Sequence, residues 1–558
     1  MRLILAILLC GLLSLPAAAA NQLQAVVLQQ QIERLRQTVL PSINGQAFAA
    51  APLIEAVYAA RDHRLAWGDS DAVAALLEEI EASVLDGLRP ADFHDKAVRA
   101  YLDNPSSAAS DPLWLATRDV VLTDAFARLL HQLRYGKVDP RSLDPDWNFA
   151  RPIVTSDTTA QLNTALDNNG VRTLIEATRL ADPSYTALRR ELARYRTIAD
   201  DGGWPALPPG PTLRPGTTDP AIPALRARLA ATGDLHQQAT SDPVFNATLE
   251  AALRRFQERH GLKVDGLVGP LTRKALDVSV DRRIDQIRVN LERARWLGGR
   301  DAGDVIEVDI AGFSVEHRTA DAVGWQGRAI VGQPYRQTPV FADAIEYIVF
   351  NPTWTVPRSI VVKDIIPRIR ANPGYLYVQG YTVTDEDGLL VPLETATAAA
   401  IEDVEFPRTW TVTQAPGPLN ALGQIKFMFP NTFAVYLHDT PQRTLFERTA
   451  RSFSSGCIRV DDSRGLAANL LAGNREWDRA RIEAVIASGK TRTVRLERPV
   501  PVHLLYRTAA AEPGGRLLFR EDIYGRDPPL LAALDAPSSP FVPGHQPTTQ
   551  LSWSADVR

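Results

Sequence analysis

Cysteine is nearly missing from this chain: its 558 residues hold two, Cys10 and Cys457. With so few thiols, neither a disulfide framework nor a cysteine-built metal site can carry the fold. An excess of either charge is absent too, with 61 Lys and Arg against 65 Asp and Glu. The net charge is -4 with no dense basic stretch, which argues against nucleic acid as a partner. No glycine-rich phosphate loop, no His or Cys pair at metal-ligand spacing and no GxSxG elbow occurs. Neither a cofactor nor a metal is therefore expected. A long apolar run occurs at the N-terminus, MRLILAILLCGLLSLPAAAA. One arginine, an apolar stretch and small residues ending at Ala20 describe an export signal over residues 1–20. Leu3–Ala20 is marginally short for a span, so contact with a membrane is expected only if the signal stays uncleaved.

Cys10 leaves with such a signal, and Cys457 then has no partner for an internal disulfide. A lone thiol in an oxidising compartment is a liability unless it is used. The competing reading is a buried, inert cysteine. The stretch Phe433–Val460, FAVYLHDTPQRTLFERTARSFSSGCIRV, favours use. A strand-like run, Phe433–Leu437, delivers His438 at its end, and a polar loop leads to Ser454, Ser455, Gly456 and Cys457. A helix-forming run follows over Asp461–Leu471. An imidazole beside a thiol takes its proton and lowers its pKa to about 3.5–7.5. Small residues before Cys457 let the backbone turn, so that the amides of Ser455, Gly456 and Cys457 face an oxyanion. Arg459 has the guanidinium fork that suits a substrate carboxylate, against the bland reading of a structural arginine. Asp439 is adjacent to His438 and points the wrong way along an extended strand.

Along the chain, Leu28, Ile32, Leu35 and Val39 fall at helical spacing, as do Val73, Leu76, Leu77, Ile80 and Val84, and Leu122, Phe126, Leu129, Leu130 and Leu133. Residues 21–203 therefore form a helical domain, in which His63, His94 and His131 lack spaced partners. Residues 204–218 hold five prolines and two glycines and read as an extended, poorly packed linker. A compact unit of three helices occupies 219–278, with Pro270 at the first position of its third helix. A connecting helix fills 279–302. From 303 to 500 the texture becomes strand-like, with runs at 306–310, 312–317, 327–332, 345–350, 408–413, 424–429, 433–437 and 493–497. Between about 360 and 406 the strand pattern gives way to helix and loop. Residues 501–538 make a C-terminal extension, whose segment PVHLLYRTAA could add a strand, and 539–558 a tail expected to be disordered.

The words carrying Cys457 resemble a known signature. The L,D-transpeptidases (YkuD-type catalytic domain) run His, a loop, Ser or Thr, His, Gly, Cys. His438, Ser454, Gly456 and Cys457 take those places, and Ser455 stands where many members carry a second His. The flanking YLHDTP, SSGCIRV and NPTWTVP, with QAPGPLNALGQIKFMFPN over Gln414–Asn431, resemble the large periplasmic branch. DGLRPADFH and LRYGKVDPRSL resemble that branch's scaffold domain. FQERHGLKVDGLVGPLTRKAL resembles its peptidoglycan-binding module, with a spacer that binds nothing as the bland alternative. The resemblance implies a multidomain α+β chain whose catalytic domain is a mainly antiparallel, β-sandwich-like fold with a lid insertion at 360–406. It implies a periplasmic enzyme in cell wall biogenesis that joins peptidoglycan stem peptides by 3→3 cross-links. Cys457 would be the nucleophile, His438 the general acid and base oriented by a backbone carbonyl, a tetrapeptide the donor and an amine the acceptor. Carbapenems would acylate the thiol, and wall-synthesis proteins are candidate partners. A hydrolase of the same fold and a catalytically silent wall-binding protein are the alternatives.

Overall fold

A computed structural model of the chain describes residues 17–37, 42–43, 46–48, 50–103, 111–149, 156–236, 240–298, 303–319, 322–401, 406–512 and 514–538. Most of the expected signal, residues 1–16, and the tail over 539–558 lie outside them. Among the described residues no helix is long and apolar enough to cross a membrane.

Heptad-like spacing in the first third of the chain becomes a helical core. Leu28, Ile32 and Leu35 of the helix Ala17–Gln37, Val73, Leu76, Leu77 and Ile80 of Ser70–Ala82, and Leu122, Phe126, Leu129, Leu130 and Leu133 of Pro112–Tyr135 are all buried in it. Val39 lies outside the described residues. His94 is a structural histidine, its Nε2 set 2.8 Å from buried Asp124. This core reaches from Leu28 to Ile175. The last helix of the expected domain, Pro183–Asp200, turns elsewhere: it packs with the connecting helix Val280–Trp296 and a C-terminal hairpin, Ala509–Ala511 with Leu517–Phe519.

The linker over 204–218 is extended and mostly exposed, and it is anchored at two points. Leu207 and Leu213 are buried in the core of the three-helix unit Ile222–Ala231, Ala247–Arg259 and Pro270–Leu276. Val268 N–H donates to Leu213 O at 3.1 Å, and the Arg228 guanidinium lies 3.8 Å from the Trp204 ring centroid. The prolines keep the stretch extended, and two leucines placed between them pin it to the module.

The strand-rich region is organised on nine strands: β1 Val305–Asp309, β2 Ser314–Arg318, β3 Val323–Gly332, β4 Phe341–Phe350, β5 Ile425–Met428, β6 Leu437–His438, β7 Ser452–Ser454, β8 Ile458–Val460 and β9 Arg492–Leu505. Their order is β7-β3-β8-β6-β5-β4-β9-β1-β2, and β2 pairs with β3 as well, so the sheet closes around one core. Pairing is mainly antiparallel; β6–β8, β7–β3 and β9–β1 are parallel. Three expectations change. Strand β9 runs through position 500 to Leu505, so the sheet takes in residues read as a separate extension. A bulge between Arg495 and Val500 accommodates Pro499 inside this strand.

Second, the 433–437 run is a strand only at its end. Asn431 Oδ1 accepts from the amides of Phe433 and Val435, both at 3.1 Å, and Ala434 adopts φ 54°, so a side chain replaces the ladder. Third, the 360–406 stretch belongs to a small α+β unit with its own core, including Trp354, Ile365, Ile369, Tyr381, Val383, Ala400 and Val412. Its four-stranded sheet takes Thr411–Gln414, expected in the main sheet, and pairs it with Trp354–Thr355 and Tyr381–Thr384. Residues 402–405 lie outside the described residues.

Candidate active site

Register fixes the site. Leu437 pairs with Ile458 and His438 with Arg459 across β6 and β8, and Lys426 of β5 pairs with His438. Leu437 and Ile458 are wholly buried in the core. Alternation along a strand then places Tyr436, His438, Cys457 and Arg459, with Lys426, on the opposite face. His438 is one diagonal step from Cys457 on that face, within reach of a side-chain contact.

His438 is buried, and its Nδ1 donates to the carbonyl of Asp439 at 2.5 Å. That bond leaves Nε2 with its lone pair, the form a general base needs. Burial, followed by the nearby Arg459 charge, pushes the imidazole pKa down to about 3. The carboxylate of Asp439 faces away: Oδ2 accepts from Gln424 N at 2.9 Å and Oδ1 from Arg443 at 2.7 Å.

Cys457 is half-exposed, and its thiol donates to Ala434 O at 3.8 Å. Burial pushes the thiol pKa up, against the Tyr436 amide and hydroxyl bonded to the sulfur and the charges of Lys426 and Arg459. The expectation of a thiol lowered by its imidazole is thereby reversed. Burial disfavours the charged form of either partner, and the Arg459 and Lys426 charges oppose a further positive charge on His438.

The turn before Cys457 is held by Ser454, whose Oγ donates to Cys457 O at 2.5 Å and accepts from Gly456 N at 3.1 Å. Gly456 sits at φ 119°, a conformation open to glycine. Its amide is thus committed, which removes Gly456 from the expected oxyanion donors. Among the described residues no acceptor holds the amides of Ser455 or Cys457. Arg459 donates from Nη1 to Gln442 Oε1 at 2.8 Å, while its buried Nε has no acceptor among the described residues.

Sequence reasoning missed several neighbours. Tyr436 lies edge-on to His438 at 5.6 Å, and Lys426 Nζ is 3.8 Å from the Tyr436 ring centroid. The two-residue period of YLH, matched to that of CIR, could have found Tyr436. Arg336 was also missed: Nη1 donates to Ser455 Oγ at 2.7 Å and also pairs with Asp364 of the inserted unit. Among the described residues no cluster of His, Cys, Asp or Glu could hold a metal ion.

A thiol, a base with a fixed tautomer and free amides beside the sulfur are the parts of a covalent acyl-transfer site. Residues 303–486 match the L,D-transpeptidase catalytic domain, 52–192 the scaffold domain, and 218–276 the family described as "Putative peptidoglycan binding domain". Three stretches of the chain thus match, in order, the family models of a scaffold domain, a putative peptidoglycan-binding domain and an L,D-transpeptidase catalytic domain. A Haemophilus influenzae protein named "Putative L,D-transpeptidase" is 35% identical over 242 residues, 43% of this chain and 48% of that protein. The match thus spans less than half of that relative's length. The crystal structure of an L,D-transpeptidase from Xylanimonas cellulosilytica covers 53% of this chain and 99% of its own at 17% identity. Its TM-score is 0.18, too low to add to the fold assignment.

Proposed function

We propose that the chain is a peptidoglycan L,D-transpeptidase that forms 3→3 cross-links through a cysteinyl thioester. The observation that carries this reading is the placing of Cys457 and a neutral, carbonyl-oriented His438 on one sheet face of an L,D-transpeptidase catalytic domain. Sγ attacks the carbonyl of the third stem residue while His438 Nε2 takes the thiol proton. The tetrahedral oxyanion collapses, the peptide C–N bond breaks, and the departing D-alanine amine receives that proton. A side-chain amine of a second stem then attacks the thioester, gives a proton to His438 and releases the sulfur, which recovers the proton. One amide is broken and one formed, with no redox change. The amides of Cys457 and Ser455 are the oxyanion donors, one such donor being worth about 3–4 kcal/mol. Arg459, on the same face, holds a substrate carboxylate with its guanidinium fork. The stem peptide as substrate is supported by the peptidoglycan-binding match, and periplasmic export by the N-terminal residues.

The test is incubation of the mature protein with a disaccharide-tetrapeptide. Free D-alanine with a cross-linked dimer supports transfer. Free D-alanine with tripeptide alone points to a hydrolase, and no reaction points to a silent binding protein.

A further inference from the structure

The Gly456–Cys457 peptide is held from behind by groups with no contact to the reacting atoms. Thr338 is wholly buried, and its hydroxyl donates to Gly456 O at 2.8 Å while accepting from Gly332 N at 2.9 Å. Its amide donates to the phenol oxygen of Tyr524 at 3.1 Å, and that phenol donates to Gly332 O at 2.7 Å. Three of these bonds close a ring through Gly332, Thr338 and Tyr524, and the fourth leads from the Thr338 hydroxyl to Gly456 O.

In a trans peptide the C=O and the following N–H point in opposite directions. Anchoring Gly456 O towards Thr338 therefore turns Cys457 N–H away from Thr338, and among the described residues no acceptor takes it there. The bonds also run in one sense, from Gly332 N–H through the Thr338 hydroxyl to the Gly456 carbonyl. Donation to that carbonyl polarises the amide and strengthens its N–H as a donor.

Gly332 makes the close approach feasible. A Cβ there would lie 2.1 Å from Arg336 O and 2.8 Å from Thr338 N. Tyr524 lies beyond the residues matched to the catalytic family, and it is firmly placed. Its ring stacks on Tyr506 at 5.5 Å, and its amide donates to Tyr506 Oη at 2.9 Å. Arg526, two residues on, donates to Asp144 of the helical region at 3.2 Å and to Gln337 at 3.3 Å.

We infer that Thr338 and Tyr524 are positioning residues that aim the Cys457 amide at the oxyanion, so that the C-terminal segment completes the active site. This rests on the acyl-transfer reading. The two readings separate by comparing two reactions of one sulfur. Acylation by a carbapenem or a tetrapeptide passes through an oxyanion; alkylation by iodoacetamide displaces iodide at saturated carbon and makes none.

In the full chain, Thr338→Val is expected to slow acylation about tenfold or more and Tyr524→Phe several-fold, while alkylation stays within about twofold of wild type. Thr338→Ser, which keeps the hydroxyl, is expected to restore acylation. Tyr524→Phe retains the stacked ring and guards against a folding defect in the buried Thr338 variant. Acylation unchanged in both variants, or lost in step with alkylation, overturns the inference while leaving acyl transfer intact. A wild-type protein that is alkylated but never acylated overturns both.

Discussion

The directions in which His438 and Cys457 are shifted leave the proton on sulfur across neutral pH and determine the pH behaviour. The imidazole is pushed down to about 3 and the thiol is pushed up. Between those limits the pair holds a single proton, so kcat/KM for acylation is expected to stay flat from about pH 4 to about pH 8. In His438→Gln the thiol must lose its proton to solvent. Its rate should be much lower at neutral pH and rise about tenfold per pH unit towards the raised thiol value. A flat profile in His438→Gln would show that another group is the base. The same shift affects stability. The folded pKa lies below the unfolded value, so the unfolded chain binds the proton first as pH falls. This contribution is complete above about pH 6.5 and is lost progressively from there down to about pH 3. The residue types at the site could be read from a thiol and an imidazole in one short stretch. Their protonation could not, because burial by Tyr436, Lys426 and the inserted unit is a property of packing.

Elements were legible where side chains alternate against the core, as in β2, where Val315 and His317 are buried between half-buried neighbours. They were illegible where a side chain took over a backbone bond. Asn431 did so before β6, and a bulge hid the length of β9. The inserted unit was read as an interruption because its strands are two to four residues long. It touches the site at Tyr436, which packs on its core, and at Asp364, which Arg336 links to Ser455. If this unit is the lid that screens the thioester, Asp364→Asn should raise the donor KM several-fold and increase the share of tripeptide over dimer. Stability should fall by no more than about 1 kcal/mol, since the pair is partly exposed. An unchanged product ratio and KM would show that the contact has no part in closure.

Across the whole molecule, the domains are tied together by aromatic and arginine contacts that composition did not announce. Trp147 and Phe149 of the helical region enter the catalytic core, and Asn148 exchanges two hydrogen bonds with the Ala342 backbone. Phe519 of the C-terminal hairpin stacks on His260 of the three-helix module at 5.4 Å and is buried beside Leu192 and Leu291. The module is thus docked on the hairpin. Phe519→Ala should cost about 3–5 kcal/mol and separate module melting from catalytic-domain melting in calorimetry. A single unshifted transition would contradict this docking.

Covalent acyl transfer at Cys457 is the central claim, and intact mass spectrometry after brief exposure to a disaccharide-tetrapeptide tests it most directly. The account predicts one adduct per chain, equal to the donor less D-alanine, mapping to a peptide that contains Cys457. Cys457→Ala, folded as judged by its melting, should form neither adduct nor dimer. Dimer made by that variant, or an adduct on any other residue, would contradict the account.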